Sequence, residues 1–376
     1  MRPIQMVDTK TQYLKIKEQI DTGIHRVLDS AAYINGEPVQ AFAKNLSSYL
    51  NVKHTITCGN GTDALQIAMM ALGLQPGDEV ITPSFTYVAT TEVVALLRLK
   101  PVFVEVDRET FNIDPKAVEA AITLKTKAIV PVHLYGQAAN MEEIMAIANR
   151  HNLFVVEDNA QAIGSNYTFA DGTVKKTGTI GTVGTTSFYP SKNLGAYGDG
   201  GAIFTNDDVL AKKLQMIANH GQEVRYYHEM VGCNSRLDSI QAAVLDVKLK
   251  YLDEYIAARQ KAASFYDKAF ESVDNITVPK TAHFTNHVYH QYTILVEGIN
   301  RDELSKYLSS VQIPSMIYYP VPAHRQKMFA AFGGADYKLP VTDWLTERVI
   351  SLPIHTELDE EQLQYIVDHV LRFINK

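Results

Sequence analysis

The sequence predicts an α/β protein built on a mostly parallel sheet, and three observations carry that prediction. Between about residues 40 and 205, short apolar runs alternate with segments of helical periodicity, the pattern of parallel strands covered on both faces. The chain is 46% hydrophobic and 20% charged, which supplies a large core without a membrane-like excess. The loops that follow the apolar runs are rich in Gly, Pro and polar residues, and sheets of this class hold ligands beyond the carboxyl ends of their strands.

Taken in order, residues 10–30 set Ile20, Ile24, Val27 and Leu28 at helical spacing, and Gly36-Glu37-Pro38 closes that segment. Strands are expected at residues 54–58, 79–82, 102–106, 128–133, 154–157, 185–189 and 202–205. Helices are expected at 63–72, 87–99, 114–122 and 141–151. Residues 166–178 read as a surface hairpin turning at Asp171-Gly172. Helical segments at about 207–220 and 236–272 finish a large domain, residues 1–250. A smaller α/β domain, residues 251–376, follows. It has strands at 290–296 and 314–319 and helices at 302–309, 344–350 and 360–374.

The net charge of −7, with no basic tract, argues against a nucleic-acid partner. Cys58 and Cys233 cannot make a disulfide framework, and no Cys/His cluster suggests a metal site. The N-terminus has no apolar signal core and no run reaches membrane-spanning length, so a cytoplasmic location is expected.

The chemistry is expected at the ends of the strands. Lys192 stands in a Pro/Gly-punctuated loop between two apolar runs, with Ser187 before it and four glycines and Asp199 after it. A lysine between core strands loses solvation for its ammonium form, which frees the amine as a nucleophile. Cys58-Gly59-Asn60-Gly61-Thr62-Asp63-Ala64 joins a strand to a helix and suits a phosphate. It also fits G-x-G-x-x-A, but the acids 20 residues on precede the second strand, where a dinucleotide site needs one after it. Phe154-Val155-Val156-Glu157-Asp158 is a strand ending in two acids on opposite faces, so one alone can face the site. The Pro83–Thr90 loop offers an aromatic to stack on a planar ring, and Asn234 and Arg236 precede a helix. His287 and His290 have metal-like spacing, but on a strand they face opposite ways and read as structural. One lysine, one acid, a phosphate cradle and a stacking ring are the set that pyridoxal phosphate uses.

At these residues the chain resembles the DegT/DnrJ/EryC1/StrS family of sugar aminotransferases. The resemblance runs through residues 60–65, 76–86, 131–137, 157–162, 187–202, 234–238, 319–322 and 351–355. It implies the type I, aspartate-aminotransferase-like fold, pyridoxal 5'-phosphate as cofactor, and pyridoxamine phosphate between the two halves of the reaction. Lys192 would carry the cofactor and Asp158 would pair with its ring nitrogen. Gln161 would lie by the ring's phenolic oxygen and Tyr87 on the ring. Gly61, Thr62 and Ser187 would bind the phosphate. Asn234 would reach the phosphate from the partner subunit of a homodimer. Arg236, Tyr318 and Tyr319 would contact a nucleotide sugar, and L-glutamate would give the amine.

Within the family, the lettering from Ser187 to Gly195 is similar to that of enzymes for 3-keto sugars; 4-keto enzymes usually have His where Tyr189 stands. The nearest likeness is to aminotransferases for UDP-2-acetamido-2-deoxy-3-oxo-glucuronate, which serve surface polysaccharide synthesis. Their His is replaced here by Tyr318, and the 166–178 hairpin is longer, so a dTDP-3-keto-6-deoxyhexose stays open. The other classes are a non-catalytic regulator on the same fold, a sugar dehydratase (where His would replace Lys192) and a nicotinamide oxidoreductase.

Overall fold

The computed structural model describes residues 2–375. In chain order the strands of the large sheet begin with β1 (His54–Cys58), β2 (Glu79–Pro83), β3 (Lys100–Val104), β4 (Thr126–Ile129) and β5 (Phe154–Asp158). A hairpin of β6 (Asn166–Thr168) and β7 (Val174–Lys176) intervenes before β8 (Val183–Ser187) and β9 (Gly201–Thr205). The seven-stranded sheet has the order β1-β9-β8-β5-β4-β2-β3. Strand β9 runs antiparallel to both β1 and β8. The remaining neighbours are parallel. The ends of β1, β2, β5 and β8 therefore open on one edge of the sheet. That edge gathers Asn60–Thr62, Ser84–Tyr87, Asp158–Gln161 and the Lys192 loop.

The helices between these strands form for local reasons. Met141–His151 starts at Asn140, whose side chain accepts the Glu143 N–H, and it carries Glu142 and Glu143 in its first turn and Arg150 and His151 in its last. Both ends complement the helix dipole. Ile144, Ile147 and Ala148 fill a core shared with Ile81, Ile129 and Val155 of the sheet. On a second core Leu65, Ile67, Ala68 and Met69 of Gly61–Ala71 pack with Val80, Val156 and Ile203.

A further hairpin, β10 (Gln222–Val224) with β11 (Tyr227–His228), precedes the helices Ser239–Leu249 and Leu252–Phe270. The C-terminal part carries β12 (Ile276–Thr277), β13 (Tyr292–Val296) and β14 (Val349–Leu352) in an antiparallel sheet. Helix Glu360–Ile374 opens with a capping box of Asp359 and Gln362 and lays Leu363, Ile366, Val367 and Val370 on that sheet. Ile4 shares this core. Ser84, just past β2, ties the two parts together. Its hydroxyl donates to His324 Nδ1 at 2.7 Å and accepts the His324 N–H at 3.1 Å.

Several expected elements differ. Gly36-Glu37-Pro38 starts a helix, Glu37–Leu50, because Pro is tolerated where the N–H has no helical partner. The 10–30 helix is two, Thr9–Lys15 and Lys17–Ser30, and the 236–272 segment breaks at Lys250-Tyr251. No strand spans 314–319. Met316 alone bridges to Ser351, and Pro314, Pro320 and Pro322 have no N–H to give a ladder. The expected 344–350 helix is Pro340–Thr346, and the β-branched Val349-Ile350 that follows joins the sheet as β14. His287 and His290 lie ahead of β13 and not on a strand. The 166–178 hairpin reaches inward, since Tyr167 is 1% exposed and its hydroxyl donates to Asn140 Oδ1 at 3.0 Å.

Candidate active site

The helix Gly61–Ala71 starts at the edge of the sheet where β1 ends. Asn60 caps it by accepting the Asp63 N–H at 2.9 Å, which leaves the N–H groups of Gly61 and Thr62 without intrahelical acceptors. This turn is pressed onto the end of the sheet. A Cβ on Gly61 would lie 2.7 Å from Ser187 Cβ, and one on Gly201 would lie 2.4 Å from the Asn60 carbonyl oxygen. Only hydrogens fit there, so the two N–H groups and the Ser187 hydroxyl are brought to one place.

Lys192 follows β8 in a tight loop. Its N–H donates to Tyr189 O at 2.8 Å, and the next residue, Asn193, gives its side-chain N–H to Val288 O at 2.9 Å. The side chain is half-buried by exposed area, but its amine lies in poorly solvated surroundings. Burial lowers its pKa to about 8, and the charge of Asp158 works against that shift. About a tenth of the amine is therefore unprotonated at pH 7, far more than for a solvated lysine.

Asp158 ends β5 and is 5% exposed. Its Oδ2 accepts the Thr90 hydroxyl at 2.8 Å and its Oδ1 accepts the Ala160 N–H at 3.1 Å. The neighbouring acid, Glu157, faces the other way, as strand alternation requires. Its Oε1 accepts the N–H groups of Ile180 and Gly181 at 2.6 Å each. Its Oε2 accepts the Gly178 N–H at 2.8 Å and the His133 Nε2–H at 2.9 Å. The proton lies on Nε2 because His133 Nδ1 accepts the Ala139 N–H at 3.1 Å. Glu157 is thus a structural anchor, and Asp158 is the acid available to the site.

Gln161 is fixed at both ends. Its Oε1 accepts the Tyr135 N–H at 2.8 Å and its Nε2 donates to the Tyr319 hydroxyl at 3.1 Å. Burial raises the Tyr319 pKa well above the usual phenol range, so the hydroxyl keeps its proton. The Tyr135 hydroxyl donates to the carbonyl of Tyr318, which holds the 318–319 pair against the segment that follows β4. The Tyr87 ring is 56% exposed and lies 6.1 Å from the Tyr319 ring at 45°. It stands at the mouth of the site.

Two expected residues are not brought to Lys192 by any contact within this chain. Asn234 is exposed, although its neighbour Ser235 is buried and bonded to the phosphate turn, accepting the Gly59 N–H at 2.8 Å and donating to Asp63 Oδ2 at 2.5 Å. Arg236 is half-buried one residue further on. Sequence reasoning missed Thr90, which lay inside the aromatic-rich stretch, and Tyr135. The only signal for Thr90 was its place in the first turn of the helix Ala89–Leu96, which faces the end of β5.

The residues fit pyridoxal phosphate. A buried carboxylate and a buried amine sense each other's charge with no ion pair between them, beside two N–H groups and a hydroxyl suited to a phosphate. Residues 14–371 match the DegT/DnrJ/EryC1/StrS aminotransferase family. A Geobacillus stearothermophilus protein named pleiotropic regulatory protein is 48% identical over 372 residues, covering 98% of each chain. The UDP-2-acetamido-2-deoxy-3-oxo-D-glucuronate aminotransferase of Pseudomonas aeruginosa is 48% identical over 363 residues, covering 96% of this chain and 98% of that one. Among solved structures, a family aminotransferase from Brucella abortus superimposes with a TM-score of 0.93 at 41% identity, over 99% of this chain and 100% of that one. NtdA from Bacillus subtilis with bound pyridoxamine phosphate gives 0.89 at 32% identity, over 96% of this chain and 82% of that one. The chain belongs to this family and is a sugar aminotransferase dependent on pyridoxal phosphate.

Proposed function

We propose that the protein transfers the amino group of L-glutamate to the C3 ketone of a nucleotide sugar, and that UDP-2-acetamido-2-deoxy-3-oxo-glucuronate is the sugar. The observation that carries the reading is the half-buried Lys192 with a depressed pKa across from the buried Asp158, which is held by the Thr90 hydroxyl and the Ala160 N–H. The choice of sugar is supported by the 48% identity to the Pseudomonas aeruginosa enzyme and by Tyr189 following Ser187.

Pyridoxal phosphate supplies an aldehyde that exchanges amines and a ring that takes up the electrons released when a C–H bond breaks. The chain's residues do the rest. Gly61, Thr62 and Ser187 bind the phosphate, and Asp158 holds a proton on the ring nitrogen. Gln161, locked between Tyr135 and Tyr319, presents its amide to the ring's oxygen. Lys192 would hold the cofactor through its Nζ. Freed from that bond, its Nζ would act as the base and acid of each half-reaction, taking the Cα proton of glutamate and giving it up within the first, and giving a proton to C3 of the sugar in the second. The Tyr319 hydroxyl, kept protonated, and the Tyr87 ring frame the entrance where Arg236 and Tyr318 meet the sugar nucleotide. The exposed Asn234 reaches a partner subunit's phosphate in a homodimer working in the cytoplasm, on the route to a surface polysaccharide.

The test is a panel of UDP- and dTDP-linked 3-keto and 4-keto sugars with glutamate, read as 2-oxoglutarate formed. Highest kcat/KM on the UDP-3-oxo-uronate supports the assignment. A preference for a dTDP-3-keto-6-deoxyhexose or any 4-keto sugar overturns it.

A further inference from the structure

Behind the Lys192 loop lies a buried cluster that transamination does not use. Lys248 is 1% exposed and donates to the carbonyl of Gly195, three residues along from Lys192, at 2.6 Å. Its Nζ lies 5.1 Å from the centre of the Tyr197 ring. Arg259 is 3% exposed and its Nη1 faces only main-chain carbonyls, those of Tyr289 at 3.1 Å, His290 at 3.4 Å and Ile354 at 3.0 Å. Tyr255 stands one turn before Arg259 on helix Leu252–Phe270, so the two share a face.

Three buried polar atoms in this cluster have no hydrogen-bond partner among the described residues: Arg259 Nε, Tyr197 Oη and Tyr255 Oη. Each can donate. Among the described residues no carboxylate offsets either cation, while Glu357 and Glu254 bear on Tyr255 and Asp21 bears on Tyr197. Burial alone lowers Arg259 to about 10, and burial together with repulsion from Arg259 lowers Lys248 to about 7. Buried cations are ordinarily paired and buried donors satisfied. Water would satisfy the hydrogen bonds but not the charge.

We propose that Lys248, Arg259, Tyr197 and Tyr255 form a binding site for a small monovalent anion of the chloride class. The anion supplies the missing acceptor and the missing negative charge. It keeps Lys248 an ammonium where that side chain bonds Gly195 in the loop carrying Lys192.

The test uses the full-length protein with its cofactor. Crystals grown with sodium bromide should show an anomalous peak among Lys248 Nζ, Arg259 Nε and the two tyrosine hydroxyls. In solution, the thermal midpoint should rise with each tenfold increase in sodium chloride, but not in sodium methanesulfonate at equal ionic strength. Lys248→Met should flatten the chloride response. Water alone at the site, a carboxylate reaching in from a second copy of the chain, or equal midpoints in the two salts would overturn the proposal. The bromide map decides it even if the variant does not fold.

Discussion

Thr90 donates its hydroxyl to Asp158 Oδ2 at 2.8 Å, and the two side chains are 1% and 5% exposed. The bond spans two elements, the first turn of helix Ala89–Leu96 and the end of β5, and it fixes the plane of the carboxylate. A hydrogen bond to a charged group contributes about 1.5–3 kcal/mol. Thr90→Val should therefore lower kcat by roughly 10- to 100-fold with little change in sugar KM, and Thr90→Ser should recover most of it. Steady-state kinetics on the three proteins checks this, and an unchanged kcat in Thr90→Val would remove Thr90 from the site.

The lowered pKa of Lys192 gives a pH dependence with a definite sign. The free amine is the reactive form, so protonation at low pH suppresses it. With the pKa near 8, cofactor-free protein should capture added pyridoxal phosphate about tenfold faster at pH 9 than at pH 7, and the rate should level off above that. Stopped-flow absorbance follows the reaction. A rate still climbing in proportion to hydroxide at pH 10 would mean an ordinary, solvated lysine.

Gly61→Ala places a methyl group 2.7 Å from Ser187 Cβ and 3.3 Å from its Cα, and the main chain there cannot yield without moving β8. Overpacking of this kind costs about 1–3 kcal/mol. The cost falls on the phosphate end, so the variant should lose pyridoxal phosphate on dialysis while the wild type keeps it. Equal retention, read from the absorbance of the dialysed proteins, would show that the turn does not hold the phosphate.

Glu157 should act on stability and not on chemistry. Glu157→Gln turns an amide NH2 toward a set of four N–H donors and leaves two of them facing a donor. At 1–3 kcal/mol for each such group, the loss is roughly 3 kcal/mol. The denaturant midpoint should fall accordingly, and the residual folded enzyme should keep its KM for the sugar. A midpoint at the wild-type value would contradict the anchoring role.

The sheet was legible because its strands are short, apolar and evenly spaced by helices, and β1 and the helices Met141–His151 and Glu360–Ile374 begin and end at expected residues. The boundaries that slipped did so where tertiary contacts outweigh local preference. The run at 314–319 is apolar enough for a strand, but the prolines around it and the Tyr135 hydroxyl on the Tyr318 carbonyl leave it no ladder. The place of Lys192, Asp158 and the Gly61 turn at or just past strand ends was legible because each follows an apolar run. Thr90 was not, since a threonine in the first turn of a helix has no local mark until β5 brings Asp158 beside it. The role of Tyr135 was equally hidden, because its N–H and hydroxyl act on Gln161 and Tyr318, 26 and 183 residues away.

The most direct test is to reduce the yellow holoenzyme with borohydride, digest it and sequence the pyridoxyl-labelled peptide by mass spectrometry. The label should fall on Lys192 and nowhere else, and Lys192→Ala should carry no label and no turnover. A label on another lysine, or turnover in Lys192→Ala, would contradict the account.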